Sequence, residues 1–568
     1  IIRPRTAGTT IGIGGASGTL NLTALRLAFI QDGFSEIIIG STDAGNITAN
    51  AAIFTDPLRL ITGGTLAING ALNTGANQLA LIVGGNTSQT AALTAGSLRL
   101  GGNGNFTLQN ASNNFGILAK DGTGAVSLRH SLALNVGTVD GVNGVSGSTI
   151  DLRTDTGNLI LSQAVTGNAS GNAVVLSTPA AFINNVGASA VSTPNGRWLI
   201  YTAAPAGNSY GGLLSGNQAL YNRSYTGNPP SGITQTGNRY LFANQPTVTF
   251  TSTSDTKTYG DDFTSSIADN FTVSGFVDAA TYGSVFTQDT LANTTTGTAL
   301  ATSTGAAATA TVAGSPYSVL LNLTPVSAPT GYALAKSEPG LLTVGKRNIT
   351  VTALGGTSVY GDSPSSPGLS ATNLASFDTV SALTGLSNSF GITSASTVNT
   401  YTTNVAGTLG NGNYSVTANN TGSWSVTPKA LTVTAANQVK TYGETFTFVG
   451  NEFTTSGLIN GDSVGTATLT SAGAVNTATV AGSPYTITAS AASGTGLSNY
   501  TISYNTGNLT VNKRNITVTA LGGTSVYGDS PSSPGLSATN LASFDTVSAL
   551  TGLSNSFGIT SASTVNTY

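Results

Sequence analysis

Residues 96–128 read GSLRLGGNGNFTLQNASNNFGILAKDGTGAVSL. Three times in this stretch a glycine is followed by apolar residues two and four places on: 96–100 (GSLRL), 104–108 (GNFTL) and 124–128 (GAVSL). Each unit is a turn followed by a short strand whose alternate side chains point inward. The same unit recurs at 64–68 (GTLAI) and 157–161 (GNLIL). Many short strands at irregular spacing, broken by Gly-Asn and Asp-Gly turns, predict a right-handed parallel β-helix over residues 1–200. At about 20 residues per coil and about 4.8 Å per step, this gives about ten coils and a length of about 50 Å. A β-sandwich array is the competing reading of this region.

Towards residue 200 the text changes. Asn195-Gly196-Arg197-Trp198-Leu199-Ile200-Tyr201 leads into a Tyr-rich, Pro-containing stretch, and residues 201–246 read as an aromatic cap and transition. Alternation places Trp198 and Ile200 on the face that plugs the apolar core, with Arg197 and Leu199 on the other. Arg197 and Trp198 are also the candidate ligand contacts, because a Trp face stacks on sugars and an Arg binds acidic groups.

Beyond the cap the chain repeats on a larger scale. Residues 346–401, KRNITVTALGGTSVYGDSPSSPGLSATNLASFDTVSALTGLSNSFGITSASTVNTY, recur without change as residues 513–568. Tyr-Gly pairs stand at Tyr259-Gly260, Tyr360-Gly361, Tyr442-Gly443 and Tyr527-Gly528, which marks modules of about 80–100 residues in an A-B-A-B order. The predicted units are A1 (247–344), B1 (345–429), A2 (430–512) and a truncated copy of B1 (513–568). Short, β-branched strands between Gly, Ser, Asn and Pro turns predict a small β-sandwich for each module. The last strand of one module runs almost directly into the first of the next, so adjacent modules are expected end to end with little slack. The recurring tyrosines read as architecture, with the ring buried, the hydroxyl bonded to a turn and the glycine allowing tight geometry. A repeated glycan site is the functional alternative.

Composition narrows the function classes. The 568 residues include 19 Lys plus Arg, 22 Asp plus Glu, 72 Gly, one His and no Cys or Met. Charged residues are 7%, and no basic patch is dense enough to neutralise a row of phosphates, so nucleic acid is not an expected partner. No apolar run is long enough for a transmembrane helix. Without Cys there are no disulfides, metal thiolates or thiol nucleophiles, and no cofactor is expected. No leader precedes Ile1 and Tyr568 falls inside a repeat, so both ends read as cuts in a longer protein.

A β-helix can also carry polysaccharide-cleaving enzymes, which need converging acid and base groups. The candidates are Lys120 with Asp121, Arg129 with His130, and Asp151, Arg153 and Asp155 alternating on one face. An outward-facing ion-pair row explains the last three, and His130 has no partner at a defined spacing. The expectation is that the chain is not an enzyme.

The Gly-x-apolar coils and the run at Asn195–Tyr201 resemble filamentous-haemagglutinin-like exoproteins, large adhesins exported by two-partner secretion in Gram-negative bacteria. The modules from about residue 247 resemble the MBG and YDG repeat domains attached to such adhesins, with Tyr259-Gly260, Tyr360-Gly361, Tyr442-Gly443 and Tyr527-Gly528 as the signature pairs. The resemblance implies a secreted or cell-surface adhesin fragment on the outside of the cell, with an outer-membrane transporter as export partner and a glycan, extracellular-matrix or host-surface receptor. A purely structural surface or biofilm-matrix filament is the alternative, and a flat Thr-rich ice- or mineral-binding face is not supported because Thr follows no regular register.

Overall fold

A computed structural model describes all 568 residues. The chain divides into two compact units, one comprising Ile1–Lys257, Asp262–Ala310 and Gly314–Val344, the other Thr258–Asp261, Thr311–Ala313 and Gly345–Tyr568.

The first unit begins with a parallel β-helix. One face is an eleven-stranded sheet in which consecutive coils contribute, among others, Ile47–Ala49, Leu66–Ile68, Thr87–Gln89, Phe106–Leu108, Val126–His130, Ile150–Thr154, Gly171–Ser177 and Gly196–Thr202. Every pairing in it is parallel, and the inward residues stack: Leu108 lies over Leu128, Leu128 over Leu152, Leu152 over Leu176, and, past a register shift between Asn172 and Val174, Leu176 over Ile200. Those five side chains are fully buried. A strand buries one residue in two, so the period of the sequence becomes inward columns running from coil to coil.

The second face is a parallel ladder of Ile37–Ser41, Leu58–Thr62, Gln78–Val83, Leu93–Gly101 and Asn114–Lys120, continued by shorter rungs. Its column Leu60, Leu81 and Leu100 is followed by Lys120, which pairs on to Val145. Lys120 is 1% exposed, and its Nζ donates to Ser146 O at 2.8 Å and to Asp121 O and Gly122 O at 3.3 Å. Burial pushes its ammonium down to about 8.

The parallel ladder continues into the 201–246 stretch, where Arg239–Phe242 pairs with Gly196–Thr202 and sets Tyr240 over Ile200. Trp198, Tyr210 and Tyr240 meet edge to face at ring separations of 4.9 Å, and the apolar interior continues through them to Phe242 and Phe286. The intervening chain folds back over the outside of the last coils. There Val175, Leu199 and Tyr201 pack with Leu220, Ile233 and Leu241 in a second, smaller core.

A1, B1 and A2 each contain two main sheets of three or four strands, A1 and B1 add a two-stranded antiparallel pair, and the truncated copy has a single antiparallel pair. In B1, Arg347–Ala353 lies between Leu369–Thr372, antiparallel to it, and Tyr414–Asn420, parallel to it. Gly422–Thr427 is likewise central between parallel Gly356–Val359 and antiparallel Asn399–Thr403. A2 repeats the first sheet with Lys429–Ala435 between Phe453–Ser456 and Tyr500–Asn505. The parallel pair joins strands at opposite ends of the module sequence, so a module's first strand is completed only when nearly all of the module has been laid down.

The columns yield a quantitative expectation. Leu128→Ala removes a fully buried side chain and should destabilise the first unit by about 2–5 kcal/mol. Thr107→Ala, on the outward face, should change stability by less than about 0.5 kcal/mol. Urea unfolding of the full chain followed by far-UV circular dichroism separates the two.

Candidate functional site

Trp198 is 1% exposed and its ring packs inside the coils against Tyr240. Arg197 points to the other side of the strand, where the folded-back segment covers it. Its Nε donates to Asn172 Oδ1 at 2.7 Å, and its guanidinium also bonds Ile233 O at 2.6 Å and Gln235 O. The adjacent residues therefore do not form one surface. Trp198 seals the core, and Arg197 ties the returning segment to the last coil.

Asp151, Arg153 and Asp155 do share the outward face, where they are tied to one another and to Arg129 and Tyr225. Asp155 takes Arg129 Nε at 2.8 and 3.0 Å and Arg153 at 3.3 Å. Asp151 accepts from Tyr225 OH at 2.7 Å, and burial raises its pKa. Arg153 lies 5.2 Å from the Tyr225 ring centroid. His130 is fully buried; its Nε2 accepts from Phe115 N–H at 2.9 Å, which leaves Nδ1–H to donate to Leu132 O at 3.0 Å. It acts as a turn anchor between coils. Asp121 is bonded to Arg99 at 2.7 Å. No group of three His, Asp or Glu side chains is placed to hold a metal.

The arrangement that recurs is built on the Tyr-Gly pairs. In the second unit Tyr360 OH donates to Asp462 Oδ2 at 2.8 Å, and Tyr500 OH donates to the same oxygen at 2.9 Å. The Tyr500 hydroxyl accepts from Ile459 N–H at 3.0 Å, so both of its roles are filled. The two rings meet edge to face at 5.5 Å and 82°. Tyr360 belongs to B1, and Asp462 and Tyr500 to A2, so one carboxylate ties two modules through two charge-assisted bonds. A shared apolar cluster of Tyr360, Trp424, Val426, Leu431 and Tyr500 surrounds it. Trp424 completes that cluster, with its Nε1 donating to Ser358 Oγ at 3.0 Å.

The set is made once more in full in this unit, and once in part. Tyr259 OH and Tyr414 OH both donate to Asp378 Oδ2, at 3.0 and 2.6 Å, with Ala375 N–H on the Tyr414 hydroxyl at 3.0 Å and the rings 5.4 Å apart. Burial and then the Asp378 carboxylate push the Tyr414 phenol up to about 12. Tyr442 OH reaches Asp545 at 3.4 Å. Asn413 and Asn499, each one residue before the second tyrosine, accept from Val312 N–H and Val398 N–H at 2.9 Å. The glycines have φ of +89°, +93° and +89° at 260, 361 and 443, a conformation that L side chains rarely adopt. Tyr527 and Gly528 lie in the truncated copy, where Tyr527 is exposed.

A fourth instance was not legible as a Tyr-Gly pair. In the first unit Tyr221 OH and Tyr332 OH donate to Asp289 Oδ2 at 2.9 and 2.6 Å, and Val277 N–H bonds the Tyr332 hydroxyl at 2.9 Å. The residue after Tyr221 is Asn222, with φ +51°. Asn is among the side chains that tolerate this region, so Tyr-Asn takes the place of Tyr-Gly. The usable signal was Tyr followed by a residue able to adopt a left-handed backbone. The acid also departs from the pattern: the position matching Asp462 is Ala280, and Asp289 reaches the tyrosines from a later loop.

A family profile described as MBG domain (YGX type) matches residues 431–510, which contain Tyr442-Gly443, Asp462 and Tyr500. No curated protein and no solved structure matches the chain.

His130 supplies a pH test, since it is the one histidine in the chain. Burial lowers its pKa from 6.5, and a proton on Nε2 would face the Phe115 N–H. The folded state therefore binds this proton less readily than the unfolded state. Its stabilising contribution is present above about pH 6.5 and is lost as pH falls through the lower folded value. Thermal unfolding of the first unit should weaken on acidification from about pH 7.5 to about pH 5.5, and His130→Gln should flatten that slope.

Proposed function

We propose that this chain is a non-catalytic spacing and load-bearing segment of a large secreted or cell-surface bacterial protein of the adhesin type. The observation that carries the reading is the repeated tyrosine–carboxylate–tyrosine joint. The chain uses the same polar constellation to join consecutive modules, while charged side chains of the β-helix are taken up in ion pairs with neighbouring coils. Coils and modules that rest mainly on their sequence neighbours can be lengthened without redesigning a core, which suits a part that holds a binding element away from a cell. The MBG match supports the repeat-protein part of this reading, and the resemblance to two-partner-secretion exoproteins supports export through an outer-membrane transporter. A glycan, matrix protein or host surface is the partner class.

Labelling intact producing cells with an antibody to the full chain tests location, and signal that appears only after permeabilisation overturns the surface reading. A glycan and matrix-protein array probed with the full chain tests adhesion. Saturable binding puts the adhesive element in this segment, and silence from surface-labelled protein leaves it as spacer. Release of reducing ends from a polysaccharide panel would overturn the non-catalytic reading.

The joint has its own expected signature. Asp462→Ala leaves the Tyr360 and Tyr500 hydroxyls without their shared acceptor and should weaken the B1–A2 connection by about 1.5–3 kcal/mol. In calorimetry of the full chain, the transition shared by B1 and A2 should split, with A2 melting earlier, while the first unit's transition stays in place.

A further inference from the structure

The joints in the second unit are of two kinds, and the difference lies in the surface that receives the Tyr-Gly loop. On the B-type surface an arginine sits at the first strand. Arg514 Nη1 donates to Tyr442 O at 3.3 Å, while its Nε and Nη2 are held by Asn540 O and Oδ1 at 2.6 and 3.0 Å. Arg347 does the same for Tyr259 O at 3.1 Å, with its Nε on Asn373 O at 2.9 Å. The acid following the glycine turns towards this cation: Asp261 lies 2.7 Å from Arg347 and Glu444 3.9 Å from Arg514. Beneath the glycine the B-type surface presents a small residue. A Cβ built on Gly260 would stand 2.6 Å from the Ala375 Cβ, and one on Gly443 2.5 Å from the Ala542 Cβ.

The A-type surface that receives Tyr360-Gly361 is built otherwise. The strand position paired with Tyr500 is Lys429, where the B-type module pairs Arg347 with Tyr414. In place of alanine stands Ile459, whose Cδ1 occupies the space a Cβ on Gly361 would need. Asp362 accepts from Val359 N–H of its own loop at 3.1 Å, as Glu444 does from Thr441 N–H at 3.4 Å, but unlike Asp261 and Glu444 it meets no arginine. Asn460 adds a bond to Ser394 O at 2.7 Å.

We infer that these two residue pairs, arginine with alanine and lysine with isoleucine, select which Tyr-Gly loop each module accepts, so that the A-B alternation is written into the joints. The tyrosine–carboxylate–tyrosine link is common to both kinds and supplies attachment without selection. A guanidinium held by Asn373 or Asn540 fits a loop that offers a carbonyl and an outward acid together. An isoleucine fits a loop whose glycine leaves an apolar hollow and whose acid is already satisfied. This inference concerns the order of modules and stands whether or not the protein is an adhesin.

Receptor swaps in the full chain test it, read by hydrogen–deuterium exchange of the loop amides. Arg514→Lys with Ala542→Ile gives the last copy an A-type surface, and should raise exchange around Tyr442 at least about tenfold while the Tyr360 loop keeps its protection. Lys429→Arg with Ile459→Ala gives A2 a B-type surface and should raise exchange around Tyr360 while the Tyr442 loop is unchanged. Adding Val359→Thr and Asp362→Glu to the second variant supplies an A-type loop and should restore protection. If either swap leaves its loop as protected as in the parent chain, or if the added loop changes restore nothing, the selection is overturned. Should a double variant fail to fold, Arg514→Lys alone is decisive: a Tyr442 loop exchanging within twofold of the parent overturns the role of the arginine.

Discussion

No repeat in this chain can bury its apolar face alone. A coil of the β-helix buries its inward residues only against its neighbours, so Leu128 is buried because Leu108 lies on one side of it and Leu152 on the other. The requirement passes from coil to coil. Past the last full coil it is met by the rings of Trp198, Tyr210 and Tyr240, through which the same core runs on to Phe242 and Phe286. The modules obey the same requirement at larger scale. Part of the core around Trp424 and Val426 of B1 is supplied by Leu431 and Tyr500 of A2.

Lys120 and Asn113, both buried in the interior of the β-helix, arrive with partners. Lys120 stands in a leucine column and is satisfied by three carbonyls of the turns beside it. Asn113 is fully buried, and its amide donates to Leu108 O and Arg129 O at 3.1 Å while its oxygen accepts from Leu93 N–H at 2.9 Å. Such groups fix coil register, because a slip of one residue would strand a donor or acceptor away from water. In a chain with so few charges, this supplies a specificity that alternating Leu and Val cannot supply by themselves.

The inward columns were legible because a strand's period is two and Gly-x-apolar-x-apolar states it openly. Trp198 as a plug and Arg197 on the opposite face followed from the same alternation. The parallel strand pairs within the modules were not legible, since Arg347–Ala353 and Tyr414–Asn420 look alike locally and nothing in either says which neighbour it takes or in which direction. The partner of the Tyr-Gly hydroxyl was also hidden. A bond to a nearby turn was the local guess, whereas Asp462 lies about a hundred residues beyond Tyr360, and sequence spacing carries no trace of a contact made across a joint. In the sequence Lys120 stands out only as a candidate acid–base partner of Asp121, because a lysine in an apolar column is recognised only once the carbonyls around it are in place.

The joint made by Tyr221 differs from the others in both of its variable parts, with Asn222 for glycine and Asp289 arriving from another loop, yet the two hydroxyls still meet on one carboxylate oxygen. What persists is the geometry rather than the residues that were copied. The joint thus tolerates exchange both of its left-handed residue and of the loop that carries its acid, so long as two tyrosine hydroxyls and one carboxylate oxygen converge.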